Sequence, residues 1–220
     1  MTTTSNKLTA TIVGASGLVG SQVLNLLLKD STFDHVRVIV RKPLTITHVK
    51  LEQIVIDFED LTAYSAAIAG STAVFCAVGT TLKKVNSDKV AYRKIDYDIP
   101  VHAAQFAKEH NCEHFSLISA VGANPASGNF YLKLKGEVER DIQKLNISSV
   151  AYFRPSFLLG DRKEFRLGEV IGLGVFKLFS FLIPSKYKAV KDTQLASAML
   201  YRANQKANGT AIYHYNEITK

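Results

Sequence analysis

The stretch LTATIVGASGLVGSQVLNLLLK, residues Leu8 to Lys29, decides how the rest of the chain is read. An apolar run, Leu8–Val13, leads into glycines at 14, 17 and 20, and then into a segment with helical spacing of apolar residues over Val19–Lys29. Strand, glycine loop and helix in that order form a phosphate cradle. Gly14 allows the tight turn, Gly17 lets backbone approach a pyrophosphate, and Gly20 permits close packing of helix on strand. The free N–H groups and the dipole at the helix start favour anions. Ser16 can add a hydroxyl to the phosphate contacts.

The same alternation continues outward. Further strands are expected at Val36–Val40, Gln53–Ile56, Ala73–Cys76, His114–Ile118 and Ser149–Phe153. Helices are expected at Thr62–Ile68, Asp88–His110 and Tyr131–Leu145. Val/Ile-rich strands separated by helices predict an α/β fold, a doubly wound parallel sheet covered on both faces. All 220 residues fit one domain. Within it residues 155–205, including a helix near Gln194–Asn204, are expected to form a small substrate-side cap. GEVIGLGVFKLFSFLIP, Gly168 to Pro184, is apolar but carries Glu169 and Lys177 and is short for a membrane span. A partly buried helix closing the site is expected there, with an interfacial helix on an anionic surface as the alternative.

Composition is ordinary for a globular protein, at 47% hydrophobic and 21% charged. Cys76 and Cys112 lie in or beside apolar runs and read as buried thiols, so a cytoplasmic, reducing location is expected, with no apolar signal-peptide core at the start. The net charge of +8 sits in the C-terminal half: 12 basic and 11 acidic residues precede Asn129, against 14 and 7 from Asn129 to Lys206. No nucleic-acid-binding motif accompanies that excess, so a nucleic-acid partner is not expected, whereas a peripheral membrane or protein partner is compatible with it. Six histidines are scattered along the chain, and no metal is expected. Lys83–Lys84 reads as a solvated loop, and Arg154–Pro155 as an extended strand exit.

Cofactor choice follows from VRVIVRKP at the end of the second strand. An NAD site usually places an acid here to accept from the ribose 2′-hydroxyl. This chain has Arg41 and Lys42, which suit a 2′-phosphate, so NADP(H) is expected in preference to NAD(H). Asp57, after QIVI, is placed for the adenine edge, and Gly79–Thr80, after FCAV, for the middle of the dinucleotide. The next signal is YLKLKGEVERD. Tyr131 and Lys135 lie one helical turn apart, and Ser119 ends the preceding strand. Carbonyl–carbinol interconversion needs a proton at oxygen. A nearby ammonium favours phenolate over phenol, so Tyr131 reads as the proton carrier, Lys135 as its partner and Ser119 as the group orienting the substrate oxygen.

GASGLVG, IVRKP, IDFEDLTAY, FCAVGTT, SLISAVGAN, YLKLKGEVE and FRPSFLLGDR together resemble one atypical branch of the short-chain dehydrogenase/reductase superfamily, from about Leu8 to Glu169. The resemblance implies a Rossmann fold, NADP(H) binding and Tyr131 assisted by Lys135. It also implies cofactor contacts from Ser16, Gly17, Leu18, Val19, Arg41, Lys42, Leu158 and Arg166. The family often has paired serines where this chain has Ser119–Ala120, and some relatives act as regulators. The expected function is an NADP(H)-dependent oxidoreductase of a small carbonyl or alcohol. A cofactor-binding sensor or scaffold and a nucleotide-sugar epimerase-like enzyme are the alternatives.

Overall fold

The structure, a computed structural model, describes residues 7–160, 185–205 and 207–220. Seven parallel strands make one sheet in the order β3-β2-β1-β4-β5-β6-β9. They are β1 Thr9–Val13, β2 His35–Val40, β3 Leu51–Val55, β4 Ala73–Cys76, β5 His114–Ile118, β6 Ser149–Phe153 and β9 Gly209–Tyr213. Strands β7 (Leu158–Leu159) and β8 (Val190–Lys191) pair separately. The central strands β4, β5 and β6 are buried along their whole length, as a sheet covered on both faces requires. The order reverses between β1 and β4, and that switch point opens a crevice at the strands' C-terminal ends.

One face is covered by α1 (Leu18–Lys29), where Val23, Leu24 and Leu27 pack on Ile12, Val38 and Phe75. The other is covered by α2 (Leu61–Ile68), α4 (Ile99–Glu109) and α5 (Phe130–Gln143) around Phe115, Leu117 and Tyr152. Short polar side chains start these helices: Asp60 accepts from the Ala63 N–H, and Asn129 from the Leu132 N–H. Cys76 and Cys112 are buried and not disulfide-bonded, as expected.

Three expectations change. The helix predicted over Asp88–His110 is a helical run in pieces: α3 (Lys89–Arg93), a π-helical turn at Lys94–Asp98, then α4. Pro100 explains the break. It has no N–H to give the carbonyl four residues back, and its ring crowds that carbonyl, so the ladder widens and the Ile99 N–H bonds Lys94 O. The helix expected near Gln194 is α6 (Asp192–Asn204). It does not cap the strand ends but lies on the sheet face beside α1, with Leu195, Ala196 and Met199 fully buried. Strand β9, followed by α7 (Tyr215–Ile218), was not anticipated from the sequence; it extends the sheet beyond β6. The apolar segment at residues 168–184 lies outside the described residues, and among those no helix is long and apolar enough to cross a membrane.

Candidate functional site

The glycine loop joins β1 to α1 as the sequence predicts. Gly14 has φ +96°, and a Cβ on it would stand 2.8 Å from the backbone of Ala77 and Val78, so only glycine lets the β1 and β4 exits approach this closely. A Cβ on Gly20 would meet Gly14 O at 2.1 Å. Gly17 is the N-cap of α1 and accepts from the Ser21 N–H; the helix has no side-chain cap and no acid in its first turn. That terminus is open to an anion, with Ser16 exposed beside it and Leu18 and Val19 opening the helix.

Arg41 and Lys42 are exposed directly after β2. Asp57, also exposed, follows β3, but its Oδ1 already accepts from the Glu59 N–H at 3.0 Å, a local turn that shapes the loop. Leu158 lies in β7, half-buried. Just beyond it, Gly160 sits against the Leu18 side chain and the Asp192 carboxylate, which brings the β7 end to the start of α1. Arg166 lies outside the described residues.

The remaining candidates follow β4 and β5 or lie on α5. The loop after β5 is clamped to α5: Asn124 N–H donates to Leu132 O at 3.0 Å, and a Cβ on Gly136 would strike Asn124 C at 2.3 Å. That close approach seats the first turns of α5, with half-buried Tyr131, against the strand exit. Lys135 is 4% exposed, with Nζ 6.0 Å from the Tyr131 ring centroid. Ser119 closes β5 with its N–H donating to Phe153 O at 2.7 Å. Its Oγ is buried and has no hydrogen-bond partner among the described residues.

One member of this cluster was missed from the sequence. Asp96, 1% exposed, ion-pairs with Lys135 (Oδ1 to Nζ 3.0 Å), while its Oδ2 accepts from the Thr80 N–H at 2.6 Å. Gly79–Thr80 is thereby tied to Lys135 through a carboxylate. The available signal was Pro100 four residues after an acid inside a helical window, but nothing in that pattern says which way the acid turns. Burial pushes the adjacent Cys76 thiol up to about 11; a Val78 backbone hydrogen bond and Lys135 lower it, and Asp96 raises it. Cys76 is a neutral core thiol.

Two other titratable groups have structural roles. Arg154, read as a strand exit, also forms a two-point ion pair with buried Glu139, whose backbone carbonyl accepts from Tyr152 Oη. His114 is buried between Ser149 Oγ (2.8 Å) and Ser116 Oγ (2.7 Å). Burial first, and then the positive Arg202, lowers its pKa to about 3.

The sequence profile described as NAD(P)H-binding matches residues 14–158. Protein HTATIP2 of Rattus norvegicus is 38% identical over 72% of this chain and 66% of its own length. The mitochondrial protein FMP52 of Eremothecium gossypii is 32% identical over 76% of this chain and 74% of its own. The crystal structure of the Bordetella bronchiseptica enzyme WbmH in complex with NAD+ superposes with a TM-score of 0.71 at 18% identity, over 94% of this chain and 76% of that one; the likeness is one of fold. The fungal names correct one expectation: FMP52 proteins from several species are described as mitochondrial, which overturns the cytoplasmic location inferred from the cysteines and the N-terminus. With its glycine loop at the switch point of a doubly wound sheet, the chain belongs to the NAD(P)H-binding Rossmann family, and HTATIP2 and FMP52 are among its relatives.

Proposed function

We propose that the protein is an NADP(H)-dependent oxidoreductase of a small carbonyl or alcohol, with Tyr131 moving the proton. The observation that carries this reading is the buried Lys135 ammonium beside the Tyr131 ring at the exits of β4 and β5. When bound, the reduced nicotinamide supplies a hydride to the carbonyl carbon. Tyr131 gives its phenolic proton to the carbonyl oxygen, forming the alcohol, and the phenolate recovers a proton from solvent. Ser119, buried with its Oγ uncommitted among the described residues, donates to the same oxygen and fixes its position. Gly14, Gly17, Gly20 and the α1 terminus would hold the pyrophosphate, with Ser16, Leu18 and Val19 beside it. Arg41 and Lys42 supply the preference for a 2′-phosphate, because no acid follows β2. Asp57, Gly79, Thr80, Leu158 and Arg166 complete the proposed cofactor set.

A cofactor-binding protein with little turnover is the second reading. The observation in its favour is the ion pair of Lys135 with Asp96, which weakens the acidifying field at the phenol. NADPH consumption over a panel of small aldehydes and ketones separates the two. Turnover that falls about 10²–10⁴-fold in Tyr131→Phe, with NADPH still bound, supports the oxidoreductase. Tight NADPH binding without turnover, unchanged in Tyr131→Phe, supports the sensor.

A further inference from the structure

The chemistry assigned to Tyr131 calls for a cation, yet the fold delivers an ion pair. Asp96 uses both carboxylate oxygens on parts of the site: Oδ1 faces Lys135 Nζ at 3.0 Å, and Oδ2 accepts the Thr80 N–H at 2.6 Å. Neither side chain of the pair is more than 5% exposed, so water screens it little. The Thr80 N–H needs only an acceptor, which a neutral asparagine would provide; among the described residues, the negative charge is matched to the Lys135 ammonium.

How Asp96 reaches this position is readable in the chain. Pro100 opens the helix into the π turn at Lys94–Asp98, and Asp96 is the residue of that turn buried against the loop after β4. Tyr92, one turn earlier, donates from Oη to Thr80 O at 3.4 Å and helps hold the same loop. An ammonium acidifies a neighbouring phenol, and a carboxylate in contact with that ammonium opposes the effect.

We propose that Asp96 is the positioning residue of the site: it locks the Lys135 ammonium against the loop after β4 and offsets its charge, so that a lysine–carboxylate pair governs proton handling at Tyr131. The inference rests on the reading of Tyr131 as the proton carrier. Among the described residues, titratable groups around the pair are Tyr131 and Lys135 from α5, Asp96 from the π turn, Tyr92 from α3 and Cys76 from β4, and the same elements are bridged further along by Arg93–Glu137 and Tyr97–Asp141. Cys76 stays neutral and senses the pair's two charges in opposite directions.

Ionisation of Tyr131 can be read without turnover, from tyrosinate absorbance of the full chain as pH rises. Subtracting the same protein carrying Tyr131→Phe isolates this phenol among the nine tyrosines. Asp96→Asn removes the opposing charge and lowers the Tyr131 midpoint by about one pH unit or more. A midpoint that stays or rises in Asp96→Asn overturns the proposal. Because Asp96→Asn takes a carboxylate away from a buried ammonium, the double variant Asp96→Asn/Lys135→Met, which removes both charges together, gives a second test. Offset charges keep its midpoint within about half a pH unit of wild type. A rise of about one unit or more reveals an uncompensated lysine and sinks the proposal. Absence of NADPH consumption by the wild type would remove the oxidoreductase reading and leave this titration intact.

Discussion

His114 shows how a titratable side chain can be spoken for by structure before function is considered. Each ring nitrogen meets a serine hydroxyl, at 2.8 Å and 2.7 Å, and the residue is 5% exposed. A folded-state pKa of about 3 lies below the value near 6.5 of the unfolded chain, so between those limits the unfolded state binds more protons. The stabilisation is therefore complete above pH 6.5 and drains away as pH falls toward 3. At pH 4 the loss from this residue is about 3 kcal/mol. Urea unfolding from pH 7.5 to 4 should show a steeper fall in stability for wild type than for His114→Gln, and parallel curves would contradict the assignment. Tyr131 and Lys135 were legible at this scale because one helical turn separates them in the sequence. Asp96 was not, because its partners lie 39 and 16 positions away and the acid looks like any solvated helix residue.

Individual elements owe their placement to a few tight contacts. Helix α5 carries Tyr131, Lys135 and Gly136, and it is Gly136 that lets the helix lie against Asn124 and Pro125. A methyl there would sit 2.3 Å from backbone atoms that cannot step aside, so the helix itself must move. Gly136→Ala is expected to lower stability by about 3 kcal/mol, the upper end of overpacking, and to reduce turnover more than NADPH affinity. Chemical denaturation combined with steady-state kinetics checks both. Equal loss of kcat and cofactor binding would place the damage elsewhere. Asp60, Asp88 and Asn129 start α2, α3 and α5 by accepting from backbone N–H groups of the first turn. The π turn was not legible in the sequence. Periodicity reports an amphipathic helix on either side of Pro100, and whether the strained ladder kinks, breaks or widens depends on what packs around it.

For the whole molecule, the two faces of the sheet are each covered and the switch point lies between β1 and β4, so cofactor binding should be felt globally. NADPH at a hundredfold excess over Kd should add about 2.7 kcal/mol. For a chain of this size that raises Tm by roughly 5–10 °C. NADH at equal concentration should raise it less, and Arg41→Ala/Lys42→Ala should narrow the gap; a thermal melt in which both cofactors act alike would refute the 2′-phosphate reading. What the chain by itself determined is the doubly wound architecture, the glycine loop, the basic end of β2 and the Tyr131–Lys135 pair, because each is written in short-range periodicity or spacing. Only the tertiary structure decided that α6 covers the sheet beside α1, that β9 joins β6, and that Asp96 is buried against Lys135. Those outcomes depend on which distant segments bury each other's apolar surface and satisfy each other's charge, and no local pattern carries that information.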